Sequence, residues 1–547
     1  MNARRRALFS SATLAVLLCG ALHCSRADRE ASAASRIRPG GAPAPGGELV
    51  FGFDGAAVTE FNLDPEKSAF APHHRVIRSI VDSLVVAQPG HKFGPWLAKS
   101  WEVSPDGRNY TFHLRDDVTF HDGTKFDAEA VKFNLDRVSD PKNALYAVSD
   151  IGPYAGSTVV DPTTVRVTFS EPYAPFLANL AKSTLGIVSP TAVRKYGDDF
   201  PHHPVGTGPY RFRSFEPAVE IVLDRNPDYK WPPAGAAHSG VTWLDRITFK
   251  NVPEEATRVA VLLNGQANAI DLVPPQNVAE FRTSSEYRLL EGELLNQNYS
   301  LYLNAKRPPW DDQRVRTAFR DALDLDAAVK TVYLGTFDRA WSPLSPSIFG
   351  YDKTLEHTWH AEPEAAARLL DEVGWKKGPD GIRVKDGKPL TVVFVDTQGN
   401  REKRLDLMTI LRKQLRDTGF DLKLDSQPSG AYLAKVAAGE YDLVAGSLFA
   451  PDPDVLRRIH SRKLRTSFAI SKVDDPELEA LLEAGSQEVD AEKRAAIYAK
   501  IQRVVLDRTY AIPTYVLKYN VATSQSVRDV AIDVNGFPVF YDTWIAR

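Results

Sequence analysis

The sequence predicts an α/β protein built around a parallel sheet, and three observations carry that reading. Residues 389–446 alternate strand, helix, strand, helix, strand, and strands separated by helices pair in parallel through right-handed crossovers. The chain has 547 residues, enough for two or three domains with a large core. Its 43% hydrophobic and 25% charged residues are those of an ordinary globular protein. The net charge of −3 favours neither nucleic acid nor an anionic membrane as a partner. The basic clusters Arg457-Arg458 and Arg462-Lys463-Leu464-Arg465 are local and read as solvated surface.

The N-terminus reads as an export signal. Arg4-Arg5-Arg6 precedes an apolar run from Ala7 to Ala21, a charged n-region followed by an h-region. Both cysteines, Cys19 and Cys24, fall in or just after it, so the body has no disulfide. "ALHC", residues 21–24, resembles a bacterial lipoprotein box, with Ala21 and His23 departing from the usual residues, and makes Cys24 the candidate lipidated residue. Residues 1–24 are thus a signal peptide with a lipobox-like end. Residues 25–47 are rich in Ala, Ser, Gly and Pro and read as a flexible tether.

Ordered structure is expected from "ELVFGF", residues 48–53. Pro105-Asp106-Gly107 is a turn into "NYTFHLR", where Tyr110, Phe112 and Leu114 alternate with polar residues as in a strand. Asp127 caps a helix with Val131, Leu135 and Val138 on one face. "TTVRVTF" (163–169) and "EIVLDRN" (220–226) are strands, and "GTGPYR" (206–211) is a turn before another. Residues 311–324 form a helix opened by aspartate. Residues 362–374 form one with Pro363 at its start and Gly374 at its stop.

In the parallel unit the strands are 389–395, 420–425 and 441–446 and the helices 400–419 and 430–439, the first with Leu407, Leu411 and Leu415 in register. Parallel strands present their carboxyl ends on one rim, where ligands of α/β sheets sit. The loops "DTQGN" (396–400) and "SLFAPDPD" (447–454) therefore face one crevice.

Catalytic signatures do not emerge. The sequence has no G-x-S-x-G, P-loop, H-E-x-x-H or C-x-x-C. The adjacent pairs His73-His74 and His202-His203 diverge on a strand or helix and make poor metal sites. His460, close in sequence to Asp452 and Asp454, leaves a mixed His/Asp metal site open, with a surface histidine as the alternative. No metal and no cofactor are expected.

The stretch "WLAKSWEVSPDGRNYTFHLRDDVTFHDGTKFDAEAVKFNLDR" (96–137) resembles the signature of the extracytoplasmic solute-binding proteins of family 5, the peptide, oligopeptide and nickel receptors of ABC importers. "HPVGTGPYRFRSF" (203–215), "PPWDDQRVRTAFRDALD" (308–324), "EAAARLLDEVGW" (364–375) and "AAIYAKIQRVVLDRTYAIPTYV" (495–516) follow in the family's order. The resemblance implies a periplasmic-binding-protein type II clamshell of two lobes plus an extra subdomain. Lobe I would take 48–84, 191–290 and 517–547, the extra subdomain of that lobe 85–190, and lobe II 291–516, with the hinge near 290 and 516. It also implies capture of a peptide-like or other small solute and its delivery to ABC permease subunits; with the lipobox-like end and the tether, the expectation is a monomer held at the bacterial envelope through a lipid anchor. Rival readings are an envelope hydrolase or peptidase, and a receptor or chaperone that does not transport.

The resemblance places Phe53, Tyr146, Gln398, Phe449, Asp452 and Tyr519 in the pocket, with Asp452 and Asp454 forming its wall or supporting it; core packing is the alternative for each. Two departures bear on the solute. The loop "GSLFAPDPDVL" lacks the tryptophan and the upstream aspartate by which relatives hold a peptide's α-amino group. The loop 396–400 lacks an arginine, with Arg401 expected to lie already on the helix. Both departures argue against an unblocked dipeptide.

Overall fold

The structure, a computed structural model, describes residues 41–55, 62–68, 70–143, 145–464, 470–533 and 536–546. The export signal, Cys24 and most of the tether lie outside these residues. The tether's last residues do not behave as a leash: Gly46 is buried and its N–H donates to Trp243 O at 2.8 Å, so the folded chain starts two residues before Glu48.

Three sheets organise the body. The first has seven strands, in the order Tyr287–Glu293, Lys518–Ser524, Ala269–Asp271, Glu48–Phe53, Arg246–Asn251, Glu220–Arg225 and Tyr210–Glu216. Glu48–Phe53 runs parallel to both neighbours. The turn before Tyr210 explains its glycines: a Cβ on Gly206 or Gly208 would lie 2.2 or 2.5 Å from the Ile80 backbone. A second sheet, of four antiparallel strands, spans Ala98–Phe169. Tyr110, Phe112 and Leu114 point inward from it beside helix Ala128–Ser139, whose Val131, Leu135 and Val138 are buried and whose Asp127 cap accepts from Ala130 N–H.

The third sheet has five strands, in the order Asp421–Gln427, Thr391–Thr397, Leu443–Gly446, Tyr299–Leu303 and Ile512–Tyr515. Its first three are parallel, as the alternation of apolar strands and helices predicts. The helix predicted at 311–324 is Gln313–Asp321, opened by an aspartate cap, Asp312, and the next helix, Leu325–Tyr333, begins just past it with its own cap, Asp324. The chain passes between the seven- and five-stranded sheets twice, after Glu293 and after Tyr515. No helix among the described residues is long and apolar enough to cross a membrane.

The largest local departure from the sequence reading lies at the crevice. The helix expected from residue 400 begins at Arg404. Ahead of it, Glu402 (φ 53°) and Lys403 (φ 55°) are consecutive left-handed residues with side chains. That conformation costs a non-glycine residue of order 1–2 kcal/mol, and such strain concentrates at ligand sites.

Candidate functional site

Between the sheets lies a crevice with an inner cavity of about 330 Å³ and an outer one of about 710 Å³. The two share Phe70, Thr397, Arg401, Glu402, Arg404 and Lys518 on their walls. Their combined size is that of a small-molecule site. The carboxyl end of Thr391–Thr397 opens onto it, as does the loop after Leu443–Gly446.

Charge is built into the wall in three buried groups. On the seven-stranded side, Arg75 Nη1 donates to Asp271 Oδ2 at 2.7 Å, Tyr519 OH donates to the same oxygen at 3.0 Å, and the guanidinium stands 4.9 Å above the Tyr519 ring. On the five-stranded side, the left-handed turn brings Glu402 to Arg404 at 2.8 Å and to Tyr515 OH at 3.2 Å, with Arg404 4.7 Å over the Tyr299 ring. Burial works to raise the Glu402 carboxyl, but Arg404 and Arg401 outweigh it and hold the group down at about 2. The third group is Asp150, which accepts from Lys182 Nζ at 2.7 Å and Arg458 Nη1 at 2.9 Å. Asp396, also on the wall, is pushed up by burial.

Two residues on the first crossing between the sheets complete the inner wall. Gln297 Oε1 accepts from Leu448 N–H at 3.1 Å, which fixes the amide's orientation. Its Nε2, and Oδ1 of Asn296, are buried without a protein partner.

Four of the six sequence-predicted residues line the inner or outer cavity: Tyr146, Phe449 and Tyr519 the inner, Gln398 the outer. Phe449 packs on Phe537 with ring centres 4.8 Å apart. Phe53 does not line it; its ring lies edge-on to Phe249 in the core beneath the seven-stranded sheet. Asp452 does not line it either. Both its oxygens are taken by Arg494, at 2.6 and 2.8 Å, and the pair is buried. The acidic run at 452–454 is thus an internal brace of the loop that carries Phe449. Asp454 likewise takes Arg457, at 2.8 Å through each oxygen.

The histidines resolve as structural groups. His460 is buried against Ser471 Oγ at 3.0 Å, away from any carboxylate pair. His74 bonds Ser183 Oγ and Ser68 O, and His73 bonds Ser68 Oγ. His202 and His203 do not diverge as expected, because both reach Asp199, at 2.6 and 3.1 Å on the surface. Among the described residues no cluster of His, Cys, Asp and Glu could hold a metal ion. Arg457-Arg458 also departs from the surface reading: Arg458 is buried on Asp150.

Residues 92–461 match the model of the bacterial extracellular solute-binding proteins, family 5. The chain belongs to that family. It is 28% identical over 500 residues, covering 88% of this chain and 90% of the relative, to the glutathione-binding protein GsiB of Salmonella typhi. Among solved structures it resembles the agropinic-acid complex of AgaA from A. tumefaciens R10, at 26% identity and TM-score 0.78 over 92% of this chain and 99% of that one. It also resembles the periplasmic protein DppA of Helicobacter pylori in complex with peptide STSA, at TM-score 0.79 and 24% identity over 92% and 99% of the chains. The fold is the type II binding-protein clamshell, and the protein is an extracytoplasmic solute-binding component of an ABC importer. The family is one of solute-binding transport proteins.

Sequence reasoning missed Arg75, Lys182 and Arg404. The partners of the first two are 196 and 32 residues away, a separation that leaves no local signal. Arg404 had one: the run Arg401-Glu402-Lys403-Arg404 directly follows a parallel strand's carboxyl end.

Proposed function

We propose that the solute is a small acid with a peptide-like amide, held between lobes that close on it. The observation that carries this reading is the set of cationic donors on the inner wall, Arg75, Lys182, Arg401, Arg404 and Lys518, beside Asp396 and Glu402; the carboxylates Asp271, Asp150 and Asp338 that pair with three of them lie outside the lining. Guanidinium and ammonium donors that face a cavity favour an anionic group there. The unpartnered Asn296 Oδ1 and Gln297 Nε2 are an acceptor and a donor, which an amide N–H and C=O would satisfy together. Phe70, Phe449, Phe537 and Tyr519 supply apolar contact.

The names of the curated relatives make glutathione the first solute to test. Calorimetry should compare it, and acidic dipeptides, with their neutral amides and with basic dipeptides. The acids are expected to bind about tenfold tighter or better, 1.4 kcal/mol or more; equal or inverted affinities overturn the reading.

The lobes proposed are 48–84 with 191–290 and 517–547, and 291–516, with the subdomain 85–190 riding on the first. Closure about the two crossings should shrink the radius of gyration when a bound acid saturates the protein, and an unchanged scattering curve counts against it. Lipidation at Cys24 and a monomeric body complete the proposal for a receptor working beside its permease.

A further inference from the structure

We propose that Glu255 is a positioning residue: from across the crevice it holds Lys403 in the left-handed turn, and so aligns Arg401 and Arg404 for the solute while the two sides stand together. The inference rests on the reading of an acid held between closing lobes, and adds what couples the acid's site to closure.

The argument starts from the two sides. Glu255 opens helix Glu255–Leu263. That helix is fixed on the seven-stranded side, where Val259 and Leu262 pack with Ile270 and Arg258 donates to Asp271 O at 2.9 Å and to Leu272 O at 3.2 Å. Capping of the helix falls to Glu254, which accepts from Ala256 and Thr257 N–H. Glu255 reaches outward instead. Lys403 stands shortly after strand Thr391–Thr397 of the five-stranded sheet, and its Nζ donates to Glu255 Oε2 at 2.9 Å. Both residues line the outer cavity, so the bond spans the crevice.

The second point is what holds the turn. Glu402 and Lys403 are both left-handed, a conformation in which Cβ crowds the carbonyl oxygen. Glu402 is held from its own side: its backbone oxygen accepts from Tyr333 OH at 2.9 Å, and its carboxylate accepts from Tyr515 OH at 3.2 Å and Arg404 Nη2 at 2.8 Å. Lys403 differs. Its N–H donates to Asn400 O at 2.9 Å, a bond within the turn, and its side chain is held from the opposite side. The second residue of the turn thus depends on Glu255.

The consequence falls on the arginines. Arg401 and Arg404 flank the two left-handed residues and line both cavities. A chain that leaves the left-handed region at Lys403 rotates Arg401 relative to Arg404, so the two no longer keep a common aim. The pair is 19% and 30% exposed. Solvent screens it in part, so its loss should weaken binding a few fold rather than abolish it.

The test uses wild type, Glu255→Gln, Lys403→Ala, Lys403→Gly and the double variant Glu255→Gln/Lys403→Gly, with glutathione and its diamide as probes. Glycine takes the left-handed conformation without a side chain's penalty, so it forms the turn with no partner across the crevice. Calorimetric affinity for glutathione should fall about three- to fivefold in Glu255→Gln and in Lys403→Ala. The two variants with Gly at 403 should bind about threefold or more tighter than Lys403→Ala. Hydrogen exchange, without probe and with saturating glutathione, reads the turn through Leu405 N–H, which donates to Asn400 Oδ1 at 2.9 Å. That exchange should quicken in Glu255→Gln and slow again in the double variant. If Lys403 acts on the solute by its charge alone, the Gly and Ala variants bind alike; that result overturns the inference. So does Leu405 exchange that is the same in wild type and Glu255→Gln under both conditions. Neither result touches the acid reading. If glutathione binds wild type no better than its diamide, the acid reading falls, and the alignment for an acid falls with it.

Discussion

Asp452 and Arg494 meet through two hydrogen bonds, of 2.6 and 2.8 Å, with both side chains buried. Arg494 also donates to Gly485 O at 2.8 Å, and Asp452 Oδ1 accepts from Asp454 N–H at 2.9 Å. The pair thus ties the Phe449 loop to helix Ala491–Asp507. Removing one member of a buried pair strands the other and costs about 3–5 kcal/mol. Asp452→Asn should therefore lower the melting temperature and the denaturant midpoint. Its effect on affinity should be smaller than its effect on stability. A variant as stable as wild type but unable to bind would put Asp452 back on the cavity wall.

Stability should also fall in mild acid, and the histidines set the direction. Burial holds His74 and His460 at about 3 and His121 at about 4, below their ordinary value of 6.5. A group whose folded pKa is depressed below its unfolded one stabilises the fold above the unfolded value. For a histidine that contribution is present above pH 6.5 and is lost as pH falls, because the unfolded chain takes the proton first. Each such histidine adds a slope of about 1.4 kcal/mol per pH unit below 6.5. Denaturant titrations of His460→Gln between pH 7.5 and 5 should show a shallower fall than wild type; parallel curves would mean that His460 is charged in the fold.

Much of the architecture was legible because local rules and tertiary packing agree. The Asp127 cap, the alternation of Tyr110, Phe112 and Leu114, and the strand–helix alternation after residue 390 each survive in the fold. The cavity lining was legible only where it is made of loops at strand ends, as with Gln398 and Phe449. Phe53 and Asp452 were misplaced because an inward strand residue faces core or cavity according to what packs above it, and because an aspartate's partner 42 residues away has no mark in the sequence. Arg401 was misplaced because helix propensity favours continuing the helix back through Glu402 and Lys403, whereas the chain takes the left-handed turn there.

Phe449 and Arg404 should separate binding from folding. Phe449 lines the cavity and packs on Phe537 alone among the described aromatic rings. Phe449→Ala should cost about 1–3 kcal/mol of affinity, or roughly 5- to 150-fold, with a small change in melting temperature. Arg404→Ala should do the opposite first: it removes the first of the two arginines that compensate the buried Glu402 carboxylate, and the protein should lose stability before affinity can be measured. Equal melting temperatures for the two variants would show that the Glu402–Arg404 pair does not brace the turn.

Attachment to the membrane should depend on one residue. Cys24 is the last cysteine of the chain, and no helix among the described residues is long and apolar enough to span a bilayer. Cys24→Ala should move the protein from the membrane to the soluble fraction, and the wild-type N-terminus should carry a mass increment from lipid. An unmodified wild-type N-terminus sinks the proposal.

Blocking the two ends of a peptide solute should have unequal effects. The sequence alone suggests that both end anchors are missing, the arginine after strand 391–397 and the aspartate in the loop before Asp452. The first half of that expectation changes with the structure. Arg401 precedes the helix, in the short turn Arg401–Lys403, and lines both cavities. Its Nε stands 3.1 Å from Glu402 Oε1, but Glu402 also serves Arg404, so Arg401 retains capacity for a solute carboxylate. The second half stands. Asp452 is consumed by Arg494, and Glu402 by its arginines. Asp396 is raised by burial, and Arg404 already offsets its charge. Amidating the carboxyl end of an acidic peptide should therefore weaken binding by the worth of a charge-assisted hydrogen bond, about 1.5–3 kcal/mol. Acetylating its amine should leave affinity within a few fold. Arg401→Ala should erase the difference between free and amidated carboxyl ends while leaving the melting temperature near wild type. Calorimetry with the four end-blocked forms of one peptide measures all of this; a strong penalty for acetylation would reveal an amine anchor that the wall's carboxylates do not supply.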